Sequence, residues 1–400
     1  MTRIIEKILL SLLSNALFDS PIEISGAVDW QAVYRESIAQ SVAALAFSNL
    51  DKSILPEDVA NEWEEMTYQV MMSNMQVDAD HAKLHQILLS AKIPYVILKG
   101  DASAAYYPDP MLRAMGDVDF LIDKQNIGNV DLLLRKNGFE PQPSNHECER
   151  AYHKGMSVWE LHWDVNGVPG GEVGETIHEY LSDMIERAEP VSLTNGEYLS
   201  PTPFHHGLVM LLHVARHMIT GGIGLRHLCD WAVFVDRIGD KFPELFEDKL
   251  KNVGLWRFAQ LLTQLSVVYL KCPEQSWMGD LEHELLDALK DDLFAAGNFG
   301  HKDLNRADEA KFITSRRKGG VNDDSVLKQS ILSANEIVRK HWKYADKVPI
   351  VYPVGWAFFG GRYAVRSLAG KRKKISVNEL AKSAKTRKEI YQQMRLYKAE

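Results

Sequence analysis

Two aspartates one residue apart, Asp117 and Asp119, stand in the segment GDVDFLID at residues 116–123. Alternate side chains of an extended strand share one face, so both carboxylates point the same way, while Val118 and Phe120 point to the opposite, buried face. Two like charges this close repel each other unless a cation lies between them. Mg²⁺ or Mn²⁺ is the usual solution, because these hard cations prefer carboxylate and phosphate oxygens. The pair therefore predicts a metal site suited to phosphoryl displacement.

The segment just before this pair supplies cations. PYVILKG, residues 94–100, is a short β-rich run that predicts a strand ending at Gly100. A glycine at this end allows a ligand to approach the backbone closely. Lys99 and Arg113 are cations that could meet triphosphate oxygens. The structural alternatives are an edge-strand cation at Lys99 and an ion pair between Arg113 and Asp117.

A third carboxylate completes many such metal sites, and a third predicted strand offers it. The run MSVWELHWDV at residues 156–165 has alternating character, which predicts a strand. Glu160 is the best candidate because His162 shares its face, and Asp164 is the reserve. We assign Glu160 to the metal and to catalysis, and His162 to nucleotide binding.

Helical periodicity surrounds these strands on both sides. Apolar residues at helical spacing fill the chain up to about residue 75, a further helix leads from about Met75 to Ala91, and helical patterns return from about Pro203. We therefore predict an α+β fold in which a small mixed β-sheet is flanked by N-terminal and C-terminal helical regions. The predicted parts are an N-terminal helical region (1–75), the sheet-containing core (76–190), a C-terminal helical domain (191–345) and a basic tail (346–400).

Composition restricts the classes of protein that need considering. The chain has 400 residues, 46% of them hydrophobic and 25% charged, so it can bury a large core. A net charge of −8 gives no whole-chain case for nucleic-acid binding. Its three cysteines are far apart and lack metal-binding spacing, and no apolar run is long enough to span a membrane. These features predict a cytoplasmic protein.

At the level of motifs the sequence resembles the nucleotidyltransferase superfamily typified by DNA polymerase beta. The shared order is a strand ending in glycine, a helical spacer, D-x-D on a strand, and an acidic residue on a later strand. More narrowly, LKG, Arg113, GDVDFLI, ELHW, HVARH and LRHLCD are similar to a bacterial family of uncharacterised nucleotidyltransferases. The resemblance covers roughly residues 1–300, and its most specific part lies between Leu98 and Trp163.

The resemblance implies metal-dependent transfer of a nucleoside monophosphate from an NTP, such as ATP, to an acceptor. Asp117 and Asp119 would be metal ligands, with Glu160 as third carboxylate and base. The acceptor is open: a sugar, a small alcohol, a protein side chain or an RNA end. The expected setting is polysaccharide synthesis or other surface or secondary biosynthesis.

The chain departs from the superfamily at the phosphate loop. The usual Gly-Ser is replaced by Gly100-Asp101, with Ser103 two places later as the nearest hydroxyl, which we assign to nucleotide binding. An acid beside a triphosphate is unfavourable unless Asp101 turns away or caps the helix that follows. This feature favours the alternative function, a nucleotide-binding or scaffolding protein that has kept the fold and lost catalysis.

The predicted helical domain contains two more features with competing interpretations. His213 and His217 lie one helical turn apart, a spacing that can hold zinc in a hydrolase, although the motif lacks the usual glutamate. Arg226 and Asp230 are four residues apart, which predicts a salt bridge. We favour a role for this group in packing the helical domain or lining the acceptor side of the cleft.

The C-terminal tail is rich in lysine and arginine. Such a run is most often a solvated face, but Tyr391 and Tyr397 among the cations favour, as the alternative, contact with an acidic partner or a membrane surface.

Overall fold

A five-stranded mixed sheet carries the residues predicted to do chemistry. The computed structural model describes residues 2–24, 26–143, 148–193, 196–303, 306–313 and 377–399, with short pieces between 335 and 358. The strands are β1 (Tyr95–Ile97), β2 (Val118–Ile122), β3 (Glu140–Pro141), β4 (Glu149–Lys154) and β5 (Ser157–His162). Their order is β1-β2-β5-β4-β3, with β2 and β5 parallel and the other neighbours antiparallel. The predicted mixed sheet is confirmed, whereas β3 and β4 were not predicted because their residues are mostly polar.

Helices flank this sheet on both sides in sequence, as predicted. Before and within the sheet region lie α1 (Thr2–Phe18), α2 (Trp30–Ala39), α3 (Ala43–Phe47), α4 (Glu57–Ser90), α5 (Asp101–Ala104) and α6 (Ile127–Lys136). Helix α7 (Glu172–Leu181) and a hairpin of β6 (Glu189–Leu193) and β7 (Gly196–Ser200) follow. The later helices are α8 (Pro203–Thr220), α9 (Leu225–Ile238), α10 (Lys241–Asn252), α11 (Trp256–Leu270), α12 (His283–Ala296), α13 (Arg306–Ile313) and α14 (Val377–Gln393).

Helix α4 is one continuous helix of 34 residues, where the sequence had predicted two. Pro56 precedes it, and neither glycine nor proline interrupts residues 57–90. Its first half packs Trp63 into the core of the helical regions, and its second half packs Leu84 against the sheet. The helix therefore ties the sheet to the N-terminal helices, and residue 75 lies inside it.

Strand β2 separates two apolar cores. Val118, Phe120 and Ile122 are buried in the core between the sheet and α4, while Leu121 packs into the larger core that includes α8 and α9. Asp119 lies on the same face as Leu121 because side chains alternate along a strand. The predicted alternation is therefore present, and it directs the carboxylate face of β2 toward the helical side of the fold.

The end of the basic tail is part of the folded protein. Arg387 on α14 donates a 2.8 Å hydrogen bond to Glu309 on α13, and Tyr391 donates to Asp292 on α12. Arg387 and Tyr391 are both buried, so these two residues serve packing and are not available to a partner or membrane. Lysines 371, 373 and 374 and Arg372 lie outside the described residues. No helix in the described ranges is long and apolar enough to cross a membrane.

Candidate active site

A cleft between the carboxylate face of the sheet and helices α8 and α9 forms a cavity of about 400 Å³. Six of the predicted site residues line the sheet side of its wall: Lys99, Gly100, Ser103, Arg113, Asp117 and Asp119. The helical side is lined by residues that include His206, His213, Arg226, His227, Asp230, Asn298 and Phe299. Glu160 and His162 are not among the lining residues.

The parallel pairing of β2 with β5 brings the predicted carboxylates together. Asp119 lies directly opposite Glu160 in the register. His162 Nε2 is 2.9 Å from Asp119 Oδ1 and 3.7 Å from Glu160 Oε2. The three side chains offer ligand atoms that all lie within 4.8 Å of one another. The sequence predicted Asp117, Asp119 and Glu160 as the metal ligands. In the structure the group of close ligand atoms consists of Asp119, Glu160 and His162, which had been assigned to nucleotide binding, and Asp117 lies beside this group.

His162 is better suited to orient Asp119 than to bind an ion itself. Burial alone would lower the pKa of His162, but the hydrogen bonds to Asp119 and Glu160 outweigh burial and raise it. Nε2 of His162 donates to Asp119 Oδ1 at 2.9 Å, and a ring nitrogen that carries a hydrogen has no lone pair for a metal. A carboxylate fixed by such a donor keeps its other oxygen free, which is a common second-sphere arrangement.

The pKa values of Asp117 and Asp119 are shifted in opposite directions. The negative charge of Asp119, together with burial, raises the pKa of Asp117 to about 6. Burial would also raise the pKa of Asp119, but Lys99 and His162 overcome it and lower that pKa. The like-charge repulsion predicted from the sequence is therefore present, and the protein's own cations hold Asp119 ionised.

Lys99 is placed by the end of β1 to reach this pair. Its Nζ lies 3.0 Å from Asp119 Oδ1. Burial would lower the pKa of Lys99, but the charges of Asp119 and Asp117 raise it. The side chain is therefore a fixed cation at the centre of the cleft, which agrees with its predicted position but pairs it with Asp119.

The loop after β1 turns Asp101 away from the cleft. Gly100 has φ 63° and ψ −118°, a conformation that favours glycine. Asp101 is buried and its carboxylate contacts His81 Nδ1 on α4, while Ser103 faces the cavity. The acidic residue that replaces the usual serine therefore does not point at the space that a phosphate would occupy.

Arg113 forms a buried cluster that the sequence did not predict. Its Nε and Nη2 donate hydrogen bonds of 2.7 and 2.8 Å to the two carboxylate oxygens of Asp230. Tyr107 donates a third bond of 2.7 Å to Asp230. The predicted pairing of Asp230 with Arg226 is therefore wrong, as is the alternative pairing of Arg113 with Asp117. Both interpretations relied on sequence proximity, whereas the fold joins residues 117 positions apart.

His213, His227 and Phe299 line the far wall of the cleft, and His217 packs against His213 and Phe299 without lining it. The rings of His213 and His217 are 4.4 Å apart, and Phe299 packs 4.9 Å from the rings of both His217 and His227. Burial and neighbouring cations lower the pKa values of all three histidines. Within the described ranges no further metal-binding side chain joins the His213–His217 pair. The described residues thus give the zinc-hydrolase alternative no support.

Neutral histidines in this wall predict loss of stability in mild acid. Burial lowers the pKa of His206 to about 4, with Asp230 and Arg113 acting in opposite directions. Below pH 6.5 His206 binds a proton in the unfolded chain but stays neutral in the folded protein. Between pH 6.5 and pH 4 this difference lowers the free energy of unfolding, and the contribution of His206 is about 1.4 kcal/mol per pH unit. Denaturant titrations at several pH values should give a shallower slope for His206→Phe. Parallel curves for the two proteins would contradict this prediction.

The donor set fits a divalent cation. Asp119 and Glu160 are oxygen donors that Mg²⁺ and Mn²⁺ prefer, and Asp117 adds a carboxylate on the cavity wall. The raised pKa of Asp117 has the repulsion of Asp119 as its first cause, which an added positive charge would relieve. The residues thus suit a divalent cation, because the charge of Lys99 compensates only part of the negative charge of the carboxylates.

Comparison with known protein families gives a match over the part of the chain that contains this cleft. The model of a family described as uncharacterised nucleotidyltransferase matches residues 26–271, a span that contains β1, β2, β5, α8 and α9. No curated protein matches the sequence. The matched span is more than half of the 400 residues. The chain therefore belongs to this family of uncharacterised nucleotidyltransferases.

Proposed function

We propose that this protein transfers a nucleoside monophosphate from an NTP to an acceptor hydroxyl in the cleft between the sheet and helices α8 and α9. The acceptor oxygen bonds to the α-phosphorus, pyrophosphate leaves, and the hydroxyl proton goes to a base. The observation that carries the proposal is the juxtaposition of Asp119 with Glu160 beside Asp117 and Lys99. Asp117, Asp119 and Lys99 line the cavity and Glu160 lies beside Asp119, so three carboxylates and a fixed cation meet at one end of the cleft, which are the groups that in-line nucleotidyl transfer requires.

Each residue has a separate task in this proposal. Asp117, Asp119 and Glu160 would hold a divalent cation, which when bound supplies neutralisation of the charge on the α-phosphate oxygens. Lys99 would bind phosphate oxygens, with the backbone at Gly100 and the hydroxyl of Ser103 on the same wall. Glu160 is the proposed base for the acceptor hydroxyl, and His162 orients Asp119.

Arg113 has a different task from the one predicted. Its guanidinium is buried and both of its bonds to Asp230 are short, so its charge is already neutralised. In the proposal it fixes the loop before β2 to α9 and thereby positions Asp117. Nucleotide contact by Arg113 would require this ion pair to open.

The alternative is a scaffold that keeps the fold without catalysis. Its main support was Asp101 in the phosphate loop. Because Asp101 contacts His81 on α4 and is not among the residues that line the cavity, this support is weakened. An inactive scaffold also has no need for an ionised Asp119 between two cations. We therefore favour the enzyme.

Calorimetric titration of each of the four NTPs, with and without Mg²⁺, tests the proposal. We expect one or more NTPs to bind wild-type protein in a metal-dependent manner, and the Asp117→Ala/Asp119→Ala double variant to lose this binding. Asp123→Ala is the matched control, because Asp123 follows the same strand but is exposed and does not line the cavity. Equal binding by wild type and the double variant, or no binding to wild type, would overturn the proposed site.

A further inference from the structure

Two arginines line the cleft, and only one of them is neutralised. Arg113 makes two hydrogen bonds to Asp230. Arg226, at the start of α9, makes one hydrogen bond of 3.1 Å, to the backbone oxygen of Ala114. Among the described residues no carboxylate lies within ion-pair distance of Arg226, and its Nε has no hydrogen-bond partner. The charge of Arg226 is therefore left without a counterion in this part of the fold.

An uncompensated guanidinium in a half-buried position is costly. Charged groups in protein interiors are normally paired, because only an opposite charge offsets the free-energy cost of removing them from water. Burial lowers the pKa of Arg226, and the nearby charge of Arg113 lowers it further. The same helix offers Asp230 one turn later, yet Arg113 and Tyr107 occupy both of its oxygens. Asp230 thus neutralises Arg113, while Arg226 faces the cavity without a carboxylate partner among the described residues.

The surroundings of Arg226 favour an anion over a neutral group. Arg226 lies 5.3 Å from the centre of the Phe299 ring, which holds its planar group in place. His227, the next residue, also lines the cavity; its Nδ1 accepts from the backbone of Gly224, so its Nε2 carries the proton and has no partner among the described residues. The positive end of the 14-residue helix α9 adds to the same potential.

We infer that Arg226 binds an oxyanion of a substrate, a phosphate or a carboxylate, at a subsite of the cleft distinct from Lys99. This inference rests on the proposed function, because that function names the two molecules that could carry the anion. The anion is either the polyphosphate of the NTP or an acidic group on the acceptor. Lys99 already lies against Asp119, so the two cations serve different oxygens. If the acceptor owns the anion, the substrate class is a hydroxyl compound that also carries a phosphate or carboxylate.

Three probes distinguish the two owners without requiring turnover. Pyrophosphate with Mg²⁺ represents the donor, while glycerol 3-phosphate and glycerate represent an acidic acceptor. Each is titrated into wild type, Arg226→Gln, Arg226→Lys and the control Arg237→Gln, whose arginine is exposed on the last turn of α9. We expect Arg226→Gln to weaken at least one probe by about tenfold or more, because a hydrogen bond to a charged group is lost. Arg226→Lys should restore part of the affinity, and Arg237→Gln should bind as wild type does.

The pattern of losses assigns the anion. If Arg226→Gln binds pyrophosphate more weakly than wild type does, Arg226 contacts the polyphosphate of the donor. If only glycerol 3-phosphate or glycerate binds more weakly, Arg226 contacts an acidic group of the acceptor. Unchanged affinity for all three probes in Arg226→Gln, or no binding of any probe to wild type, overturns the inference. Circular dichroism and thermal unfolding verify that the variants are folded, and Arg226→Lys supplies the comparison if Arg226→Gln is not. Loss of NTP binding with retained, Arg226-dependent binding of an acidic acceptor would reject only the proposed function.

Discussion

Asp119→Asn should lower pyrophosphate release by more than about a hundredfold, because the variant loses a ligand of the proposed metal site together with the charge that fixes Lys99. Asparagine has the same shape and still accepts a hydrogen bond from His162, so the sheet should remain intact. The substitution also removes the first cause of the raised pKa of Asp117, which should then fall toward its usual range. The substitution therefore removes one negative charge, takes away the ion-pair partner of Lys99 and shifts the pKa of Asp117, while it changes little of the volume of the site.

The measurement is pyrophosphate release from whichever NTP binds, with a mixture of sugars and small alcohols as acceptors. Asp123→Asn is the control: it makes the same chemical change at the exposed end of β2 and should release pyrophosphate as wild type does. Circular dichroism and the unfolding midpoint report whether Asp119→Asn is folded. If folded wild type and Asp119→Asn release pyrophosphate equally from every NTP, Asp119 has no catalytic role and the proposed function is wrong.

Much of this site could be predicted from the sequence because its chemistry lies on regular strands. The period of two in GDVDFLID separates Asp119 from Val118 and Phe120, and in the structure Asp119 lines the cleft while the other two pack in the core on the opposite face of the sheet. A β-rich apolar run also located β1, and alternating character located β5. Since side-chain alternation is a local property, it does not depend on the rest of the fold.

Long-range partners could not be predicted in this way. Asp230 is within helical reach of Arg226, yet it pairs with Arg113 because the packing of α9 against the loop before β2 decides which cation reaches it. The contact between Asp101 and His81 likewise depends on α4 lying behind the phosphate loop. Neither pairing leaves a periodic signal, so composition and spacing alone could not identify it.

The basic tail shows the same limit. A cluster of lysines and arginines suggested a solvated or partner-binding face, but Arg387 is buried against Glu309 and Asp292. These two acids come from α13 and α12, and their charges become relevant only when the chain folds back on itself. Charge patterning describes the average exposure of such a segment and does not identify the cations that pack inside.

Asp230→Ala should be strongly destabilising, because it removes the common partner of Arg113 and Tyr107. Breaking a buried ion pair by removing one member costs about 3–5 kcal/mol, since the remaining charge stays in the interior without compensation. Arg113 and Asp230 are both buried, and their bidentate geometry joins the β2 loop to α9. The lowered pKa of Asp230, which Arg113 keeps near 2 against the opposing effect of burial, is consistent with a fully ionised pair. Urea denaturation followed by circular dichroism measures the loss.

A double variant separates the value of the pair from the cost of an orphaned charge. Arg113→Met/Asp230→Leu replaces both members with apolar side chains, and such replacements of buried pairs are often neutral or stabilising. We expect the double variant to be more stable than Asp230→Ala, with a coupling energy well above the few tenths of a kcal/mol that independent sites show. Additive effects of the single variants Arg113→Met and Asp230→Leu would mean that the two residues act separately. If the double variant is stable but binds NTP poorly, the ion pair is retained for positioning Asp117 in the cleft and contributes little to the stability of the fold.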